Sequence, residues 1–322
     1  MSYNKARDNL VKMYLESLEE DKIPWEQPWT VDAPKNAVSD NKYNGINNLI
    51  LSYVANKRGY KDNRWCTFKQ MKKNHWHFKE NAKGQGVWIE FWSKYNIKTK
   101  KIILFSEYEK LISNNPELAD DYKTICKNQV VFNADLIDGI PKEVIKSEAI
   151  NQSKYITNII TNMHISYKEE GNEAYYDPKS DEIHIPKPSQ FKDEYSYYAT
   201  QLHELSHATG HPSRLNRDII NTFVSEEYAK EELRAEISSS FMMQKLKLNY
   251  DESHYNEHKS YIRNWIDIFK NQPTELFKAI KDADKIVNYL DKNGVSKDKK
   301  MEEQNQMLNP KNIEQEEIDY EK

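Results

Sequence analysis

The chain has 322 residues, 30% of them charged and 38% hydrophobic, with a formal net charge of −4, which is room for about two domains that each bury a core. No apolar run approaches membrane-spanning length and the first residues carry no apolar secretory stretch, so a membrane partner is excluded and a cytoplasmic setting is expected. Cys66 and Cys126 stand far apart, which excludes a disulfide framework and a cysteine-based zinc site; both are expected to be buried thiols.

Residues 3 to 20 predict an amphipathic helix through Leu10, Met13, Leu15 and Leu18, and Pro24, Trp25, Pro28 and Trp29 then force an extended, ring-bearing turn. Tyr43-Asn44-Gly45-Ile46-Asn47 predicts a turn that opens a helix through Leu49, Leu51 and Val54. Gly86–Trp92 and Val130–Phe132 read as strands. Residues 57 to 101 hold thirteen Lys and Arg against Asp62, Glu80 and Glu90, with nine aromatic rings interleaved. Cations that bind phosphates and rings that stack on unpaired bases are what single-stranded nucleic acid requires. The expected contacts are Lys57, Arg58, Lys61, Arg64, Trp65, Lys69, Lys72, Lys73, Trp76, Lys83 and Trp88. Most of the rings are expected to fill a small core, so charge is the better half of the signal.

Residues 1 to 150 carry 24 basic and 20 acidic groups, against 23 and 31 in the remainder. A boundary is expected between residues 139 and 152, which gives a mixed α/β module over 1–145 and a second domain over 146–295. The acidic, polar stretch 296–322 is expected to be a disordered tail. The fold class expected is α+β in two domains. Asp181–Pro186 alternates polar and apolar residues and ends in proline, as a short edge strand does. An extended peptide could add to such an edge, with His184 lining the cleft.

His203-Glu204-Leu205-Ser206-His207 carries the chemistry. On a helix the two imidazoles share a face and can grip one Zn²⁺ ion, while Glu204 lies close enough to act as general base toward a water the cation has acidified. A third ligand must come from elsewhere. A third histidine six residues after the second would fall at position 213, which is Ser213, so the metzincin pattern fails. His211 is too near to coordinate without a sharp turn, and is placed in the substrate cleft with Arg214; Arg214 and Arg217 suit a substrate anion or nearby acids. A second helix is predicted over Tyr228–Met243, with Glu232 and Glu236 on one face. Glu236 is favoured as ligand because Ser238, Ser239 and Ser240 after it permit close helix approach. Glu232 is the alternative, or orients an imidazole N–H.

Several blocks resemble one family: Pro24-Trp25, Pro28-Trp29, Lys42–Asn47, Trp65–Phe68, His203–Arg217 and Glu231–Glu236. They are similar to ArdC-like antirestriction proteins of plasmids and phages, and the resemblance spans roughly residues 5 to 290. Ala208 stands where family members often carry Trp. The resemblance implies an N-terminal single-stranded-DNA-binding domain, a C-terminal zincin-like metallopeptidase domain and protection of incoming DNA from restriction endonucleases. The reading that follows is a DNA-tethered zinc peptidase acting on a protein; a DNA-coating protein with a structural metal is the rival, and a nuclease a third.

Overall fold

In a computed structural model, residues 5–25, 33–142, 150–219, 225–248 and 259–295 are described. The N-terminal half runs α1 (Lys5–Glu19), β1 (Lys35–Asn36), α2 (Gly45–Arg58), β2 (Arg64–Thr67), α3 (Phe68–Lys73), β3 (His77–Phe78), β4 (Val87–Asn96), β5 (Ile102–Ile103), α4 (Phe105–Asn114), β6 (Tyr122–Asn133) and β7 (Ile137–Asp138). The C-terminal half runs α5 (Gln152–Met163), β8 (Ser166–Glu169), β9 (Tyr175–Asp177), β10 (Glu182–Ile185), α6 (Glu194–Ala208), α7 (Glu226–Lys245), α8 (Lys259–Asn271) and α9 (Thr274–Gly294). The expected tail, residues 296–322, and Pro28-Trp29 lie outside the described residues.

Strand order in the first sheet is β1-β2-β6-β4-β5, dominated by an antiparallel β4–β6 ladder from Val87↔Val131 to Asn96↔Tyr122. Both strands are longer than expected, because the ladder runs on through polar residues such as Ser93, Lys94, Asn96, Lys123 and Thr124. The second sheet has the order β8-β10-β9. Asp181–Pro186 was expected to form an edge; its strand β10 is instead central, parallel to β8 and antiparallel to β9. The edges are β8 and β9, and the short Tyr175–Asp177 stretch of β9 carries too little periodicity to stand out in sequence.

The Tyr43–Asn47 block works as a joint. Gly45 opens α2 with φ +53°, and any Cβ there would strike the Asp284 carboxylate, which accepts from the Gly45 N–H at 3.0 Å. Asn47 clamps the Glu90 backbone on β4 through both its N–H (2.8 Å) and its carbonyl (2.7 Å). Trp25 is fully buried and meets Trp265 edge-on at 5.1 Å.

The division near residue 145 separates the chain but not the packing. One core joins α1, α2, Trp65, Val87, Ile89 and Val131 to Ala229, Leu233, Ile237 and Phe241 of α7 and to α8 and α9. A second core lies between α5, the second sheet, α6 and the far ends of α7 and α9. Buried polar bonds cross the same seam: Asn48 donates to Gln244 at 3.2 Å, and Gln244 donates to Ser52 at 3.3 Å. Cys66 is buried as expected, whereas Cys126 is only half-buried because β6 extends past the core. No helix among the described residues is long and apolar enough to cross a membrane.

Candidate metal centre

Helix α6 starts where the Asp193 side chain accepts from the Ser196 N–H at 2.7 Å, and its apolar side enters the second core through Leu202 and Leu205. That orientation turns His203 and His207 toward α7. Their Nε2 atoms lie 3.1 Å apart, with the rings crossing at 80°. Glu232 of α7 reaches both nitrogens, Oε2 at 3.5 Å from His203 Nε2 and Oε1 at 3.4 Å from His207 Nε2. A tetrahedral zinc with bonds near 2.0–2.1 Å holds its donors roughly 3.3 Å apart, so these three side chains fit one such ion. Among the described residues they form the one group of His, Cys, Asp or Glu with metal-holding spacing.

Glu236, favoured from sequence, stands elsewhere. It faces His203 Nδ1 at 3.0 Å, on the side of the ring away from the paired Nε2 atoms. One turn along α7 carries it past the meeting point, and the geometry therefore favours Glu232, the reverse of the order expected. Glu231, which sequence reasoning passed over, takes the corresponding position at His207 Nδ1, 3.3 Å away. Its place in the Glu231-Glu232 pair beside Glu236 was the available signal. A carboxylate behind each ring fixes the Nδ1–H tautomer and leaves Nε2 as donor to a metal.

Electrostatics agree with that division of labour. Burial disfavours charge on His203, yet Glu236 and Glu232 hold its pKa well above the ordinary value. His207 is likewise pushed up to about 9 against burial, by Glu232 and Glu231. Glu232 is held below the usual carboxylate range, the imidazoles outweighing burial. The cluster thus favours positive charge where the Nε2 atoms meet, and a bound cation would supply that charge in place of protons. Glu204 differs: burial raises its pKa, and it accepts from the Tyr176 N–H of β9. A carboxylate with raised pKa is suited to proton transfer near neutrality.

The cluster opens into a cavity of about 500 Å³, walled by Tyr175 and Tyr176 of β9 on one side and by Tyr228 and Tyr261 on the other. Sequence did not single out these four rings. The three residues expected in the cleft do not line it. His184 lies behind Tyr175, stacked on it at 4.5 Å and 3.2 Å from Glu170. His211 turns to Ser213 at 2.7 Å. Arg214, its side chain only 4% exposed, is spent on Asp181, Tyr176 and the Ala208 carbonyl, because the loop after α6 folds back over the β9–β10 turn. Arg217 braces Glu231 at 2.7 Å and donates to Thr209 and the Ser206 carbonyl.

In the N-terminal half, the expected nucleic-acid contacts divide. Trp65 is fully buried against Tyr60 and cannot stack a base, because β2 is an interior strand whose Trp65 faces the first core. Arg64 is pinned to Asp62 at 2.6 Å and to the Pro141 carbonyl at 2.9 Å. Trp76 packs on Gly139, and Trp88 is partly buried beneath Lys5, 5.0 Å from its ring. Arg58 donates to the Gln85 carbonyl at 2.7 Å. Lys57, Lys61, Lys69, Lys72, Lys73 and Lys83 are exposed. The rings that reach the surface beside them are Phe68 and Phe78, stacked at 5.9 Å, with Lys72 over Phe68 at 4.8 Å.

A helix bearing two histidines and a buried glutamate, completed by a carboxylate from the next long helix, defines a zincin-like metallopeptidase domain, and residues 154–282 match the family model of that description. Residues 4–132 match the N-terminal domain of anti-restriction factor ArdC. The chain belongs to the ArdC antirestriction family. The crystal structure of Mn(II)-bound antirestriction ArdC protein from the R388 plasmid superposes with a TM-score of 0.71 at 26% identity, covering 92% of this chain and 100% of that one. The metal-free form gives 0.68 at 25% identity, covering 91% and 98%. Two DNA primase TraC proteins of Escherichia coli are 32% and 33% identical over 88% and 86% of this chain, which spans only 27% and 19% of their lengths. Uncharacterized protein y4eC of Sinorhizobium fredii (strain NBRC 101917 / NGR234) is 24% identical, covering 89% of this chain and 91% of its own.

Proposed function

We propose that the chain is a divalent-metal-dependent peptidase held on single-stranded DNA by its N-terminal half, and that it protects DNA entering a new cell from restriction endonucleases. The observation that carries the enzymatic part is the convergence of His203, His207 and Glu232 beside the buried Glu204 in one open cavity. The three donors suit zinc, and the Mn(II) bound by the R388 relative is a second candidate. The ion would supply Lewis acidity and lower the pKa of a water in the cavity. Glu204 then accepts that water's proton and returns it to the leaving amine, its raised pKa suiting both transfers. Glu236 and Glu231 keep the two rings in the tautomer that leaves Nε2 free, and His207 together with Arg217 keeps Glu231 ionised against its burial. The free edge of β9 gives an extended peptide a place to lie beside Glu204. On the other half, exposed lysines around the Phe68–Phe78 stack provide phosphate contacts and a ring platform for unpaired bases.

The deciding experiment is Glu204→Gln in the full chain. Metal content and single-strand binding should stay unchanged while cleavage of protein substrates disappears. If protection from restriction survives intact in that variant, coating of the strand, not proteolysis, is the function.

A further inference from the structure

The cavity is lined by five glutamates and, among the described residues, by no lysine or arginine. A divalent cation at the triad offsets two of those charges and Arg217, behind Glu231, offsets a third, so the cleft stays net negative when loaded. Four of the glutamates belong to the metal cluster and its base. The fifth, Glu173, is exposed on the rim and takes no part in that cluster. Two residues on, Tyr175 leaves 46% of its surface open while its ring is held by the stack on His184. Glu173 and Tyr175 both line the cavity, so a carboxylate and a fixed aromatic face stand at its mouth.

We propose that this cleft accepts a protein segment bearing a lysine or arginine side chain close to the scissile bond, with Glu173 and Tyr175 receiving the cation. The inference rests on the peptidase reading above and names its substrate class. A carboxylate pairs with the charged head, and the tyrosine face attracts the cation and covers its alkyl stem. The same field repels phosphodiesters, which separates this cleft from a nuclease site and leaves polyanions to the other half of the chain. Basic, extended segments are what proteins that sit on DNA present beside it, so one bound strand would bring such a segment near the cavity.

The test uses full-length Glu204→Gln protein loaded with Zn²⁺ and three fluorescein-labelled unstructured peptides that differ only in carrying Lys and Arg, Ser and Ala, or Glu at the same positions. Anisotropy titrations should show the basic peptide binding about tenfold or more tighter than the acidic one, with the neutral peptide between, and the gap narrowing in high salt. Glu173→Lys should shrink that preference several-fold, and Tyr175→Ala should weaken the basic peptide alone. Urea melts of both variants show whether the fold is retained, and Glu173→Gln gives a milder version of the charge change. Equal affinity for the three peptides, or a preference that Glu173→Lys and Glu173→Gln leave untouched, overturns this inference while the peptidase reading stands. Failure of every peptide to bind overturns both.

Discussion

The Ser240 hydroxyl donates to the Trp25 carbonyl at 2.5 Å, a bond between residues 215 apart in sequence. Ser240 lies one turn beyond Glu236 on α7, so the helix that carries the carboxylates of the metal cluster also anchors the turn after α1. A chain ending near residue 145 would expose Trp25 and the α2 face that packs on α7 and α9. We expect that fragment to be aggregated or molten, with no cooperative urea transition, and to bind the dye ANS. A sharp two-state melt for residues 1–145 would show that the N-terminal half needs no such support.

Glu232 and Glu236 differ by one helical turn and by which imidazole nitrogen they face. Glu232→Gln should reduce zinc affinity by well over 100-fold, and Glu236→Gln by about 10–100-fold, since the latter removes only the group that orients His203. Chelator competition and metal analysis of the purified variants measure both. The opposite ranking would return the ligand role to Glu236.

Arg214 donates to Asp181, Tyr176 and the Ala208 carbonyl with almost none of its side chain exposed. Arg214→Ala leaves the Asp181 carboxylate with the Tyr176 hydroxyl as its remaining side-chain partner and should cost about 1–3 kcal/mol in urea unfolding. The acidic tilt of Asp181 depends on this arginine acting against burial, so Asp181→Asn should recover part of the loss in the double variant.

Burial holds the Asp284 carboxyl at about 6, above its ordinary 3.8. The folded state therefore binds this proton more tightly than the unfolded chain does. Asp284 costs stability above pH 6, and that cost falls away as the pH drops toward 4, with a full span of about 3 kcal/mol. Asp284→Asn keeps an acceptor for the Gly45 N–H while removing the charge. It should raise stability at pH 8 by roughly 1–3 kcal/mol and leave it unchanged at pH 4. A variant whose stability rises equally at both pH values would locate the effect in packing instead.

Phe68 and Phe78 form the exposed ring pair, whereas Trp65 is core. Alanine at Phe68 or Phe78 should weaken single-strand binding by about 1–3 kcal/mol with the fold intact. Trp65→Ala should instead lower stability by about 3–5 kcal/mol. Measuring binding and urea midpoints side by side separates the two classes. Unchanged affinity in a Phe68, Phe78 double variant would move the base contacts to another surface.

The reading from sequence went furthest where a single element carried the signal. His203, Glu204 and His207 needed only the helical repeat, and the Glu226–Lys245 helix announced itself through Leu233, Ile237 and Phe241. Choosing between Glu232 and Glu236 required the offset of α7 along α6, which spacing within one helix does not encode. Arg214 followed the motif closely enough to look available, but a loop that folds back on β9 and β10 consumed it. Trp65 and Phe68 sit three residues apart with opposite fates: Trp65 faces the core from β2, whereas Phe68 opens α3 on the surface. Helices α8 and α9 were not anticipated, and with them went the shared core, since an apolar stripe shows that a face is buried without saying against what.

Helix α7 is a party wall: one side is furnished by the metal cluster, the other holds up the neighbouring half. A cut between the halves would strand two greasy surfaces, one on each side of it. The long TraC relatives match both halves together, in a single stretch of a larger chain.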